Sequence, residues 1–318
     1  MNKKINNLKT LPDEDLWCLL VRTWFAILRL RQVELARFGL TVEQSSILAL
    51  LRHSRSTTAK ELENATMRQQ HSISTLINRM IKSGLVGRDK SPTEKRHRIF
   101  ITEEGKNLFK KVTIDSIKAV FSPLPADEKR RFACNLRSLQ LKARDLVGMS
   151  YKPPFLQARP ASDSSGGTGQ TGSGATTSDY ELWSALDATG FAISRVRGLE
   201  LAQFGLTLEQ SLHLTIIQHL GGSTTTKEIE NLTLRQHHSI STLINRMIEA
   251  GLVYKRKGHG EKRFKIFMTE EGEHIFNQIP ITSIKMVFSS LEADEKAHVD
   301  CCLRSLHSKA RNLLGLPK

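Results

Sequence analysis

The chain has 318 residues, 39% hydrophobic and 25% charged, which suits about two globular domains and excludes a disordered or fibrous chain. Its formal net charge of +15 and pI near 9.8 point to a polyanionic partner, with nucleic acid or an anionic membrane surface the usual candidates. Cys18, Cys134, Cys301 and Cys302 make no CxxC pair and no zinc spacing, which argues against a disulfide or zinc scaffold and for a reducing, cytoplasmic setting. The basic N-terminus has no apolar run behind it, and no run of about 18 apolar residues occurs. Neither a signal peptide nor a membrane span is therefore expected.

The chain repeats itself. Residues 15–148 align with 181–315 almost end to end: ELARFGLTVEQS with ELAQFGLTLEQS, IFITEEG with IFMTEEG. The offset is 166 early and 167 later, so one residue is inserted near Gly221–Ser223. Three segments follow: copy one over 1–150, a Gly/Ser/Thr-rich linker over 151–179, and copy two over 180–318. A flexible coil of that length spans roughly 30 Å. Whether the linker is natural or engineered is left open.

In copy one, Asp13 to Phe38 reads as a long helix with Leu16, Leu19, Leu20, Phe25, Leu28 and Leu35 on its apolar face, ended by Gly39. Capping boxes at Thr41…Gln44, Thr58…Glu61 and Thr66…Gln69 open three more helices, the last running to Ser83. Copy two repeats them at Thr207…Gln210, Thr225…Glu228 and Thr233…Gln236. Short strands over 85–90 and 96–101 form a hairpin. A helix from Thr102 through Phe121 ends at Pro123 and Pro125, and 127–147 is the final helix. The expected order per copy is four helices, a hairpin and two helices, a mainly α fold.

One stretch recurs almost unchanged: RQQHSISTLINRM, Arg68 to Met80, and RQHHSISTLINRM, Arg235 to Met247. At 100° per residue Ile73, Leu76, Ile77, Met80 and Ile81 share one apolar stripe of about 140°. The polar side carries Arg68, Gln69, His71, Ser72, Thr75, Asn78 and Arg79, and in copy two Arg235, Gln236, His238, Ser239, Thr242, Asn245 and Arg246. Such a helix alone reads as a solvated amphipathic one. A short capped helix before it and a basic hairpin after it make it a recognition helix for the major groove instead. Arg68, Arg79, Arg235 and Arg246 are the first candidates for guanine or phosphate contacts.

The hairpins are basic: Arg88, Lys90, Lys95, Arg96 and Arg98 in copy one, and Lys255, Arg256, Lys257, Lys262, Arg263 and Lys265 in copy two. Beside a recognition helix, they read as wings touching phosphates or the minor groove. Copy one holds 28 Lys/Arg against 15 Asp/Glu over residues 1–150, whereas 151–318 hold 19 against 17, so copy one is expected to supply more nonspecific attraction.

The order of elements, the run STLINRMIKSGLVGR and the following TEKRHRIFITEEG resemble the multiple-antibiotic-resistance regulator (MarR) family over nearly the whole of both copies. The resemblance implies winged helix-turn-helix domains whose first and last helices interlock. Here that would be an intramolecular pseudo-dimer, a monomeric chain reading an inverted-repeat operator in double-stranded DNA. It also implies a transcriptional repressor released by a small amphipathic or phenolic effector. The family's wing commonly reads acidic-x-Arg, five residues, then Leu-Thr. Here counting back from Thr102 gives Thr93 and Lys95, while counting forward starts at Glu94 and Arg96, so the wing-tip residue stays ambiguous.

The resemblance further implies a ligand cleft, for which Trp24, Phe25, Phe38 and His53 are candidates in copy one and Phe191, Phe204 and His219 in copy two; core packing is the competing reading. Peroxide-sensing relatives place a reactive cysteine near the position of Cys18. Copy two has Ser184 there, and a plain buried cysteine is the rival. No metal site, cofactor loop or catalytic set is expected. A nonspecific architectural DNA-binding protein is the alternative function.

Overall fold

A computed structural model describes residues 12–53, 56–68, 70–89, 97–149, 177–235, 237–257 and 263–316. Copy one begins with α1 (Asp13–Ala36), whose first turn holds Asp13, Glu14 and Asp15 where a helix N-terminus favours negative charge. Gly39, at φ +66°, turns the chain, and α2 (Val42–His53) follows behind the expected box: the Thr41 amide donates to Gln44 Oε1 at 2.9 Å and the Gln44 amide to Thr41 Oγ1 at 3.2 Å. The second expected box, at Thr58 and Glu61, opens α3 (Ala59–Thr66).

The third box is a correction. Thr66 ends α3, its hydroxyl donating back to Leu62 O at 2.7 Å, and Met67 takes a left-handed conformation, φ 59°. That reversal puts Arg68 in the turn, and α4 starts only at Gln70 and runs to Lys82. Copy two does the same with Leu234 at φ 57°, so Arg235 also precedes its helix. A non-glycine residue held left-handed costs energy, and the tight turn between two packed helices is what enforces it.

After α4, β1 (Val86–Asp89) pairs antiparallel with β2 (Arg98–Ile101), Val86 opposite Ile101. Thr102 caps α5 (Glu103–Lys111), its hydroxyl accepting from the Gly105 amide at 3.0 Å. A Cβ on Gly105 would lie 2.1 Å from Leu85 O, so only glycine lets this helix start against the end of α4.

The single helix expected through Phe121 is two, α5 and α6 (Asp115–Phe121). The cause is Glu34. Its carboxylate accepts from the Asp115 amide at 2.7 Å, from Thr113 Oγ1 at 2.8 Å and from the Ser116 hydroxyl, capping α6 from outside the segment. Arg31, 2% exposed, donates to Glu34 Oε2 and to Thr113 O, both at 2.6 Å. Every charge in this buried group has a partner, the condition under which a buried ion pair is tolerated. α7 (Ala126–Leu146) completes the copy.

Copy two repeats the series as α8 (Asp179–Ala202), α9 (Leu208–His219), β3 (Ser223–Thr224), α10 (Thr226–Thr233), α11 (His237–Glu249), β4 (Val253–Arg256), β5 (Lys265–Met268), α12 (Glu270–Gln278), α13 (Thr282–Phe288) and α14 (Ala293–Leu313). Glu200 stands for Glu34, accepting from the Ser283 amide at 2.9 Å, while Arg197 donates to Glu200 and to Pro280 O at 2.5 Å. The sheet gains a strand, in the order β3-β5-β4. Among the described residues, copy one has only the isolated bridge Thr57 to Ile99 at that place.

The chain forms two compact units, and each draws on both copies. One takes Met1–Arg29 with Ala192–Lys318, the other Leu30–Phe191. The contacts inside them are reciprocal. In the first unit Thr23 Oγ1 donates to Leu303 O at 3.3 Å and Lys296 Nζ pairs with Asp13 at 2.7 Å. In the second, Thr189 Oγ1 donates to Leu136 O at 3.0 Å and Lys129 Nζ pairs with Asp179 at 2.6 Å. The start of each copy's first helix thus packs with the last helix of the other copy.

Candidate nucleic-acid interface

The four-residue spacing of apolar side chains fixes how each recognition helix lies. Ile73, Ile77 and Met80 are buried in the second unit, and Ile240, Ile244 and Met247 in the first, where they join a core with Leu214, Ile217 and Ile266. Burial of that stripe leaves the opposite face in water. His71, Thr75, Asn78 and Arg79 are exposed on α4, and His238, Ser239, Thr242, Asn245 and Arg246 on α11; Ser72 is half-buried. Gln69 and Gln236 lie outside the described residues.

Each wing is tied to its helix by a bond that sequence reading missed. Arg88 Nη2 donates to Asn78 Oδ1 at 3.0 Å, and Lys255 Nζ donates to Asn245 Oδ1 at 3.0 Å. The two contacts occupy matching positions in the two copies. They put a cation of β1 or β4 beside the exposed helix face, forming one continuous polar and basic surface.

The wing bases divide. Arg98 is half-buried and donates to Ser56 Oγ at 3.3 Å, with its charge near Glu61. Lys265 is likewise close to Glu228. Both stand at the turn-side end of the paired ladder, opposite Asp89 and Arg256. Lys257 and Arg263 are exposed farther out. Lys90, Lys95, Arg96 and Lys262 lie outside the described residues, as do both readings of the wing tip.

Arg68 and Arg235 have partners of their own. Arg68 is paired with Glu43 at 3.7 Å and its guanidinium sits 4.2 Å from the centroid of the Phe191 ring. Arg235 is paired with Glu209 at 2.7 Å and sits 5.4 Å from the centroid of Phe25. The phenylalanine in each case comes from the first helix of the other copy, so the turn before each recognition helix rests on a borrowed aromatic ring.

That regroups the residues expected at the ligand cleft. Phe25 belongs with copy two's α9 and α11, and Phe191 with copy one's α2 and α4. Trp24 is 4% exposed and stacks on Phe25, Phe204 packs on the core of the first unit, Phe38 is half-buried and His219 is exposed. The His53 side chain lies outside what the structure describes.

Cys18 is half-buried, and burial, reinforced by Glu14 and Asp15, pushes its thiol up to about 11. A thiol so held stays protonated at neutral pH, the reverse of what a peroxide-reactive thiolate requires. No described helix is long and apolar enough to cross a membrane.

Two helix-turn-helix units, each followed by a hairpin packed beside its second helix, define a tandem winged-helix protein. The family model described as MarR family matches residues 38–97 and, separately, 204–263, the segments that hold the recognition helices and wings. The two matched segments, one in each copy, are consistent with two MarR-family winged helix-turn-helix domains in tandem. No curated protein matches it significantly. Among solved structures, the ligand-free organohalide-sensing RdhR transcriptional regulator is 25% identical over 42% of this chain and 80% of its own, with a TM-score of 0.38. Wild-type MarR from E. coli in its apo form is 23% identical over 31% of this chain and 78% of its own, with a TM-score of 0.29.

Proposed function

We infer that this chain is a sequence-specific, double-stranded DNA-binding transcriptional regulator. Copies 1–150 and 180–318 act as the two halves of a pseudo-dimer, placing two recognition helices on an inverted repeat about one DNA turn apart. The observation that carries this reading is the pair of matching surfaces: an exposed His, Thr, Asn and Arg face on each of α4 and α11, bonded through Asn78 or Asn245 to a basic wing strand. Arg79 and Arg246, exposed in the last turn of those helices, are assigned base or phosphate contacts; Arg68 and Arg235 would have to leave their phenylalanine seats to reach DNA. Repression, relieved by a small amphipathic or phenolic effector, follows from the family resemblance.

The test is binding of the full chain to genomic fragments selected by it, against scrambled duplexes, across a salt series. A sequence-reading protein keeps a large preference at every salt concentration, whereas a charge-driven one shows the salt slope alone. Arg79→Ala and Arg246→Ala should each weaken the selected duplex by about 1–3 kcal/mol. Equal affinity for selected and scrambled DNA throughout would leave only the architectural reading.

A further inference from the structure

The wing of copy two carries an aromatic side chain that copy one lacks. Phe264, just before β5, is 57% exposed, and its ring centroid lies 6.0 Å from Lys257 Nζ. Its counterpart in copy one is His97, also exposed. A single exposed phenylalanine is ordinary on a protein surface. Its position is what gives this one meaning. Lys255 and Lys257 are two residues apart, and Lys255 bonds the recognition helix through Asn245. Alternate residues of an extended strand share a face, and Lys257 directly follows β4, so the alternation carried on by one residue puts it and the ring beside it on the recognition-helix side of the wing. Exposed Arg263 adjoins the ring in sequence.

An apolar ring between cations matches one feature of duplex DNA. The minor groove has phosphates along both rims and apolar sugar walls within, and apolar side chains inserted there part base steps. We propose that Phe264 is a minor-groove wedge. Its ring enters the groove flanking the half-site of copy two, at a pyrimidine–purine step that unstacks easily, while Lys257 meets a phosphate on the rim. The inference rests on the DNA-reading function above and adds that the two flanks of the operator are unequal, one meeting Phe264 and the other His97.

The experiment uses the full chain and a duplex selected by it, carrying 2-aminopurine at the flanking steps, one side at a time. Wild type should raise the fluorescence on one flank only. Phe264→Ala and Phe264→His should abolish that rise and weaken binding about tenfold, with Phe264→Leu keeping part of both. The position is exposed, so all three should melt as wild type does. Unchanged fluorescence and affinity in Phe264→Ala, while Arg246→Ala still weakens binding, would overturn the wedge and leave the DNA reading standing. Loss of self-association without any change on DNA would assign the ring to a second copy of the chain and overturn it as well. A wild type with no preference for any duplex would sink both.

Discussion

The two wings diverge while the two recognition helices hardly do. In copy one Gly87 stands opposite Phe100, and a Cβ there would lie 2.3 Å from the ring, so Phe100 folds down over a residue with no side chain. In copy two Tyr254 replaces that glycine and stacks on Phe267 at 5.4 Å, with the Arg256 guanidinium 4.8 Å above the same ring. Copy one has Asp89 in the place of Arg256. The second wing has thus gained an aromatic and cationic stack, a third strand and Phe264. The helix faces, by contrast, keep the same Thr, Asn and Arg and the same bond to the wing. The two copies thus share one helix face and differ in the surface beside it.

The sharpest challenge to the equivalence of the copies lies in the buried ion pairs. Glu34→Ala strands Arg31, and Glu200→Ala strands Arg197, each without its counter-charge. Each substitution should cost about 3–5 kcal/mol in chemical denaturation. If only one of them did, the matching geometry of the two networks would not mean matching energetics.

A smaller difference should separate the arginine seats. Phe191→Leu removes the ring 4.2 Å from Arg68, and Phe25→Leu the one 5.4 Å from Arg235. The cation–π part is worth about 0.5–1 kcal/mol. The Phe191 change should be the costlier in thermal melts, because Arg235 keeps a shorter ion pair with Glu209. The opposite ranking would show that the aromatic distance does not set the interaction.

The smallest effect is one of pH. His307 is held down to about 4, by burial first and then by Arg22 and Arg311. Its folded value lies below its unfolded one, so the unfolded chain binds the extra proton between about 6.5 and 4. The stability associated with neutral His307 is full above that window and is lost as pH falls through it. Copy one has Gln140 at the matching position. His307→Gln should flatten the fall in melting temperature between pH 6.5 and 4; an unchanged profile would place the titration elsewhere.

Much of this was legible in the residues. The repeat, the capping boxes at Thr41, Thr58, Thr207 and Thr225 and the apolar stripe of each recognition helix depend on local chemistry, and the structure has them where the spacing puts them. The failures share a different cause. Thr66 and Gln69 have the spacing of a cap, yet the reversal at Met67 is imposed by helix packing. The break between α5 and α6 depends on Glu34, some eighty residues away; Pro280, between α12 and α13, was the one local hint of it. The Arg68 and Phe191 contact joins different copies, which no periodicity can reveal. Phe264 could have been noticed against His97 in the alignment of the repeats, but its exposure and its side of the wing could not.

The exchange of first helices has a consequence for dosage. Where such helices belong to separate chains, a functional unit must be assembled by collision, and its abundance falls with the square of the chain concentration on dilution. Here both contributors to each unit lie on one polypeptide, so the search for a partner is intramolecular and its effective concentration is set by covalent connection. Folding of each unit becomes first order in chain. Dilution would then leave each unit folded, its integrity independent of chain concentration.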